Sequence, residues 1–238
     1  MKKNHFIVNV VMNVILSAVL IIVAFFGLGM GRVTTTAGNN KAVYRGNVEQ
    51  PNVALMFNVY GGTEYIEGIL KILEKYDAKA TFFIGGVWAS KNNATLKLIH
   101  EKGFEIGSHG YFHKDAEKLS YEQNLEEIKM TDKLLKELIG EVPVLFAPPS
   151  GSIGSSMFRA CEDTKKIVIM WSRDTIDWRD KDSVLVLKRA TSDIQNGELV
   201  LMHPTEHTMK ALPRILEFYK MKNLTPSTVS KCIEYGNL

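Results

Sequence analysis

The chain has 238 residues, enough for one sizeable domain and an appendage. Hydrophobic residues at 45% and charged residues at 23% place it among globular rather than disordered chains. The formal net charge is only +3, without a Lys/Arg run or aromatics interleaved with basic residues, which argues against a nucleic-acid partner.

Lys2 and Lys3 precede a stretch from Phe6 to Met30 that contains no ionisable residue. As a helix this stretch would be about 37 Å long, more than the ~30 Å hydrocarbon core of a bilayer. Residues 1–33 are therefore expected to form a single-pass membrane anchor, with span 6–30. The flanking lysines favour a cytoplasmic N-terminus and an extracytoplasmic remainder. Secretion after signal cleavage near Thr36-Ala37-Gly38 is the alternative. Residues 34–50 are polar, lack apolar periodicity and read as a linker, leaving 51–238 as the folded domain.

Within that domain, short apolar runs alternate with longer amphipathic ones. Val53–Phe57 suits a buried strand, and Ile66, Ile69, Leu70 and Leu73 have helical spacing within Glu64–Tyr76. Strand Ala80–Ile84 precedes helix Ala94–Glu101, which stops at Gly103. Phe104–Ile106 leads into Ser108-His109. Ser120 and Gln123 form a capping-box pair opening a helix that closes near Gly140. Val144–Phe146, Ile167–Trp171 and Leu199–Met202 are further strands; Ser183–Gln195 and Met209–Lys220 are helices. This alternation predicts a parallel sheet or barrel in one α/β domain. Cys161 and Cys232 permit a disulfide in an extracytoplasmic setting, but such a pair is more often simply two buried thiols.

Asn58, Ser108-His109, Ala147-Pro148, Asp174 and His203 all follow expected strands. In parallel α/β folds such positions share one crevice. His109 and His113, in Ser-His-Gly-Tyr-Phe-His, are four residues apart; on one helical turn they would chelate a divalent ion. Packing or coincidence explains a solitary His-x-x-x-His as well. Asp174 and Asp177 suit a histidine-orienting, hydroxyl-accepting or metal-completing role, with Trp178 as a sugar floor. A capped strand end with an interfacial tryptophan is the plainer account. His203, ending an apolar strand, suits proton transfer or a structural hydrogen bond. A hydrolase reusing His203 and Asp174 lacks a Gly-x-Ser-x-Gly elbow, although Ser150-Gly151-Ser152 occupies a groove loop.

Taken together, Ala80-Thr81-Phe82-Phe83, Gly103-Phe104-Glu105-Ile106-Gly107-Ser108-His109, His113, Asp174-Thr175-Ile176-Asp177-Trp178 and Leu201-Met202-His203 resemble the polysaccharide deacetylase family. This is the NodB-homology, carbohydrate esterase 4 group, and the resemblance covers about residues 51–235. It implies a distorted (β/α) barrel and metal-assisted removal of acetyl groups from an N-acetylated polysaccharide such as peptidoglycan. It also implies His109 and His113 as ligands of zinc or cobalt and His203 as general acid. Asp174 and Asp177 lie in the segment that orients His203, and Trp178, Pro149 and Ser150 line the substrate groove.

Two motifs depart from the family. Phe57-Asn58-Val59 stands where the family has Phe-Asp-Asp, so the base position is Asn58 and the metal-carboxylate position Val59. A spore-former subgroup with Phe-Asp-Val already lacks the second Asp, but it keeps the first. Ala147-Pro148-Pro149-Ser150 replaces Arg-Pro-Pro-Tyr, removing the Arg that pairs with the catalytic Asp. An amide is not a base at neutral pH and a valine coordinates nothing. Glu64 and Asp115 are the nearby carboxylates, and both read as solvated. The resemblance thus implies a membrane-anchored deacetylase, with a catalytically dead glycan-binding or structural pseudoenzyme as the alternative.

Overall fold

A computed structural model describes residues 41–234. The expected span 6–30, the cleavage alternative and residues 34–40 of the linker lie outside the described residues. Among the described residues no helix is long and apolar enough to cross a membrane.

Eight strands form the sheet: β1 Asn52–Val59, β2 Thr81–Ile84, β3 Glu105–Ser108, β4 Leu145–Phe146, β5 Ile167–Val168, β6 Arg173–Asp174, β7 Leu199–Met202 and β8 Thr225–Ser227. Their order is β5-β4-β3-β2-β1-β7-β6, with β8 on β1, and every strand pair is parallel. The sheet curls into a (β/α) half-barrel. Parallel neighbours need a crossover between them, and helices supply it. They are α1 Thr63–Lys75, α2 Gly86–Lys91, α3 Asn93–Glu101, α4 Tyr121–Ile139, α5 Ser155–Asp163, α6 Asp177–Asp180, α7 Ser183–Thr191, α8 Glu206–Met221 and α9 Val229–Cys232.

β1 is buried along its whole length, hence its near-continuous apolar run. Its side chains alternate between two cores. Val53, Leu55, Phe57 and Val59 join the cluster that includes Ile66, Leu70 and Leu73 of α1 and Leu212 and Ile215 of α8. Ala54 and Met56 join a second cluster with Leu145, Ile169 and Leu199. Each large side chain so buried contributes about 1.5–3 kcal/mol. Asn58 has the parity of Ala54 and Met56, and Val59 the opposite parity.

The capping box of α4 is present, with Ser120 accepting from Gln123 N and Gly140 closing the helix at φ 78. The expected strand Ile167–Trp171 is instead short β5, with the chain continuing to β6. Beyond β5 the edge is taken by Val43, whose N–H and carbonyl bond Val168 and Met170. Part of the segment read as a linker is therefore hydrogen-bonded to the domain; Asn47 N also donates to Cys232 O. Helices α2, α5, α6 and α9 and strands β6 and β8 lie outside the sequence expectations. β8 reads Thr-Pro-Ser, a strand without an apolar run, recognisable only from its ladder to Asn52–Ala54. Cys161 and Cys232 are buried free thiols in different clusters, so no disulfide joins them. Burial pushes their thiols up to about 12 and about 11.

Candidate functional site

Because the strands are parallel, their C-terminal ends share one rim. A cavity of about 300 Å3 opens there, and its lining includes Asn58, His109, His113, Asp174, Trp178 and His203. The residues singled out after β1, β3, β6 and β7 are thus brought together. Ser150 lines the cavity with Gly151, in a turn where Ser150 adopts φ 55. Pro149 is buried behind it, its Cγ 3.4 Å from where a Cβ on Gly110 would stand.

His109 continues the β3 ladder, its N–H donating to Ile84 O at 2.9 Å. The ring is wholly buried, with Nδ1 2.8 Å from Ala147 O and Nε2 unpartnered. Burial foremost, and then the nearby His113, hold its pKa down to about 3. The ring is therefore neutral at ordinary pH, Nδ1–H donates to the carbonyl, and the Nε2 lone pair is left for a ligand.

The two histidines do not share a helical turn, as their spacing had led us to expect. Residues 109–115 form a loop, with Gly110 at φ 71 and His113 at φ 57. Its backbone N–H groups are satisfied from outside, as a loop requires. Tyr111 N and Phe112 N donate to the buried Glu127 carboxylate of α4 at 2.9 and 2.8 Å. This tether brings the two imidazole centroids to 5.0 Å, at 67°. Burial also lowers the His113 pKa.

Asp177, at the start of α6, is fully buried. One carboxylate oxygen accepts from His203 Nδ1 at 2.8 Å, and the other from the His203 backbone N–H at 2.7 Å and from the Thr208 hydroxyl. Nδ1 of His203 therefore carries the proton, leaving Nε2 as the acceptor of the neutral ring. Asp174 does not touch His203: its carboxylate accepts from Ile176 N at 2.8 Å while lining the cavity. Orientation of His203 belongs to Asp177, with Thr208 as a partner that the sequence reading did not single out.

Three more residues escaped that reading. The Tyr60 ring lies 4.1 Å from that of His113, tilted by 40°, stacks on His109 at 6.0 Å, and meets His203 edge-on at 5.8 Å. Burial, with Asp177 nearby, raises its phenol pKa. The available signal was strand parity, since Tyr60 lies two residues beyond Asn58. Trp171 lines the cavity from the β5–β6 connection. Glu127 had no signal, being one acid among several on an amphipathic helix.

The donor set does not fit a catalytic divalent metal. His109 has the right tautomer, and His113 is adjacent. Among the described residues, however, no group of three His, Cys, Asp or Glu side chains is placed to hold an ion, whereas catalytic zinc sites usually have three protein ligands. Asn58 presents only an amide, whose Oδ1 is buried without a hydrogen-bond partner. Val59 is fully buried in the outer core. Glu64 is exposed, and Asp115 pairs with Lys118 and the Ser152 hydroxyl. Neither lines the cavity.

The polysaccharide deacetylase family model matches residues 45–166. An uncharacterised protein of Bacillus subtilis, YlxY, is 37% identical over 196 residues, 82% of this chain and 61% of that one. The match thus spans less than two thirds of that relative's length. A peptidoglycan-N-acetylglucosamine deacetylase of Bacillus cereus is 28% identical over 184 residues, 75% of this chain and 67% of that one. Among solved structures, BA3943 of Bacillus anthracis, described as a CE4 family pseudoenzyme, superposes with a TM-score of 0.79 at 33% identity. The match covers 82% of this chain and 69% of that one. A BA3943 mutant described as having restored enzymatic activity is similar to the same degree, with a TM-score of 0.79 and 31% identity over 82% and 71% of the two chains.

Proposed function

The chain belongs to the polysaccharide deacetylase family, and we propose that within it this protein recognises an N-acetylated cell-envelope glycan, such as peptidoglycan, without hydrolysing it at a family-typical rate. The observation that carries this reading is Asn58. Of the two β1 positions where the family has Asp-Asp, Asn58 is the one that lines the pocket, and its amide cannot act as a base or as an anionic ligand. Similarity to BA3943, a described pseudoenzyme, supports it. The glycan class follows from the deacetylases among the relatives.

The groove itself suits a sugar. Trp178 is 53% exposed at its rim and Trp171 lines its wall, and aromatic faces accept the C–H face of a pyranose. Asp174 and the Ser150 hydroxyl add acceptors for ring hydroxyls.

One observation favours a second reading, an active metal-assisted deacetylase. His109 keeps a free Nε2 in the ligand tautomer, and the Asp177–His203 dyad is complete. A zinc or cobalt ion would supply carbonyl polarisation and water activation there. In that reading His109 and His113 would be only a partial ligand set, and His203, held at Nδ1 by Asp177, would first take up and then release a proton at Nε2.

Acetate release separates the two readings. The protein is incubated with N-acetylated glycan and zinc or cobalt, beside a glycan-binding titration. Binding without acetate release, with release appearing in Asn58→Asp, is expected. Release by the native sequence that is abolished in His109→Ala would establish the enzyme instead. We also propose that residues 6–30 hold the domain on the outer membrane face, since that stretch lacks ionisable residues. A mature chain beginning after Thr36 in the soluble extracellular fraction would overturn the anchor.

A further inference from the structure

Trp171, a wall of the central pocket, stands in the connection between β5 and β6, outside the ladders of the sheet. Its indole reaches the Pro149–Gly151 turn so closely that a Cβ on Gly151 would stand 2.5 Å from it. Ordering so large a side chain costs conformational entropy, so the backbone on either side has to be held by other contacts.

Residues 43–47 supply that hold. Val43 N donates to Val168 O and Met170 N donates to Val43 O, both at 2.8 Å, which pins the residue before Trp171. The Val43 and Trp171 side chains pack on the same cluster, with Ala54, Met56 and Ile169. After Trp171, the Ser172 hydroxyl donates to the Glu198 carboxylate and accepts from Leu199 N at 2.9 Å. Glu198 is buried, and a buried carboxylate needs its charge paired. Arg173 stands 3.6 Å from the oxygen that Ser172 holds, and Arg45 stands 3.4 Å from the other. The same Arg45 nitrogen donates to Asn196 O at 3.2 Å. The strap itself is fixed at Gly46, whose N–H donates to Gly197 O at 2.7 Å. A Cβ on Gly46 would lie 2.3 Å from Cys232 O, an approach that only glycine allows.

We propose that Arg45 is a positioning residue for the groove: through Glu198 and Ser172 it fixes the angle at which the Trp171 indole forms the pocket wall. That the indole meets a sugar rests on the glycan reading above; that Arg45 sets its place does not. A residue in the segment read from sequence as a linker thus shapes a pocket it does not line.

The test uses the full-length protein labelled with 5-fluorotryptophan. Its three fluorine resonances, from Trp88, Trp171 and Trp178, are assigned by single Trp→Phe substitutions. Arg45→Ala is expected to shift or broaden the Trp171 resonance, while Trp88, whose indole donates to the Thr63 hydroxyl, keeps its own. Arg45→Lys should restore the native signal, because the three donors of an ammonium can make both contacts. Ser172→Ala cuts the same relay inside the domain and should reproduce the shift; it decides the case if Arg45→Ala does not fold. In titrations with an N-acetylglucosamine oligomer, Arg45→Ala should weaken binding roughly three- to tenfold, the worth of one aromatic contact. It should have no further effect in a Trp171→Ala background. An unmoved Trp171 resonance, or Trp88 moving with it, overturns the proposal, as does an equal loss of binding in the Trp171→Ala background. If no oligomer binds the native protein, the glycan reading falls and the fluorine spectra decide the positioning by themselves.

Discussion

Placing an aspartate at position 58 and placing one at position 59 should have opposite consequences, although the family pattern treats the two as a pair. Val59 is fully buried in the outer core, packed with the helix-facing side chains of β1. Losing its apolar burial costs about 1.5–3 kcal/mol. The new carboxyl, with an ordinary pKa of about 3.9, must also take up a proton to remain there. At pH 7 that costs roughly 4 kcal/mol, from about 1.36 kcal/mol per pH unit. Together these approach the whole stability of a typical domain, about 5–15 kcal/mol. The folded-state pKa of this carboxyl is raised, so the deficit grows as pH rises and shrinks by about 1.4 kcal/mol per unit on acidification towards ~4.

Asn58→Asp instead changes a pocket-facing amide into a nearly isosteric carboxylate and should cost less than about 2 kcal/mol. It also puts a carboxylate, at the position where the family keeps its base, into the cavity that His109 and His113 line. Zinc at a hundred times its dissociation constant should then stabilise that variant by about 2.7 kcal/mol, a gain absent from Val59→Asp. Urea titrations at pH 5 and pH 7, with and without zinc, measure all of this. Val59→Asp proving as stable as Asn58→Asp at pH 7, or gaining stability from zinc by itself, would refute the parity argument.

Removing the Asp177 carboxylate orphans the His203 ring, its backbone N–H and the Thr208 hydroxyl, so Asp177→Ala should lose about 3–5 kcal/mol in denaturant titrations. In NMR titrations His109 should stay neutral from pH 8 down to pH 5. Its folded pKa of about 3 lies below the ordinary 6.5, so the unfolded chain binds the extra proton. Its contribution to stability is complete above about 6.5 and is lost as pH falls towards 3. Glu127→Ala leaves the Tyr111 and Phe112 N–H groups without their acceptor. A loss of about 1–3 kcal/mol is expected by thermal melting.

Much of the architecture was legible because its signals are local. The β1, β2 and β7 runs, the α1 periodicity and the Ser120/Gln123 capping box each depend on residues within a few positions of one another. The unheralded pieces depend on distant partners: β8 is a strand only because Asn52–Ala54 lies beside it, and Val43 leaves the expected linker to cover the β5 edge. Family membership likewise follows from motif order, which a sequence carries in full.

The histidine pair marks the boundary between the two kinds of information. From sequence alone came the residue types and the gap: His109, His113, His203, Asp177, and Asn58-Val59 where two aspartates belong. Whether these groups meet, which carboxylate orients His203, and what lies over the pair were decided by tertiary structure. A four-residue spacing does not specify a helix. Glu127, distant in sequence, holds that segment as a loop and sets the ring separation. Asp177 rather than Asp174 reaches His203, because α6 begins there and turns that carboxylate inward. Side-chain direction depends on strand parity and on long-range hydrogen bonds, and for that reason composition and spacing could name the donors without saying where each one points.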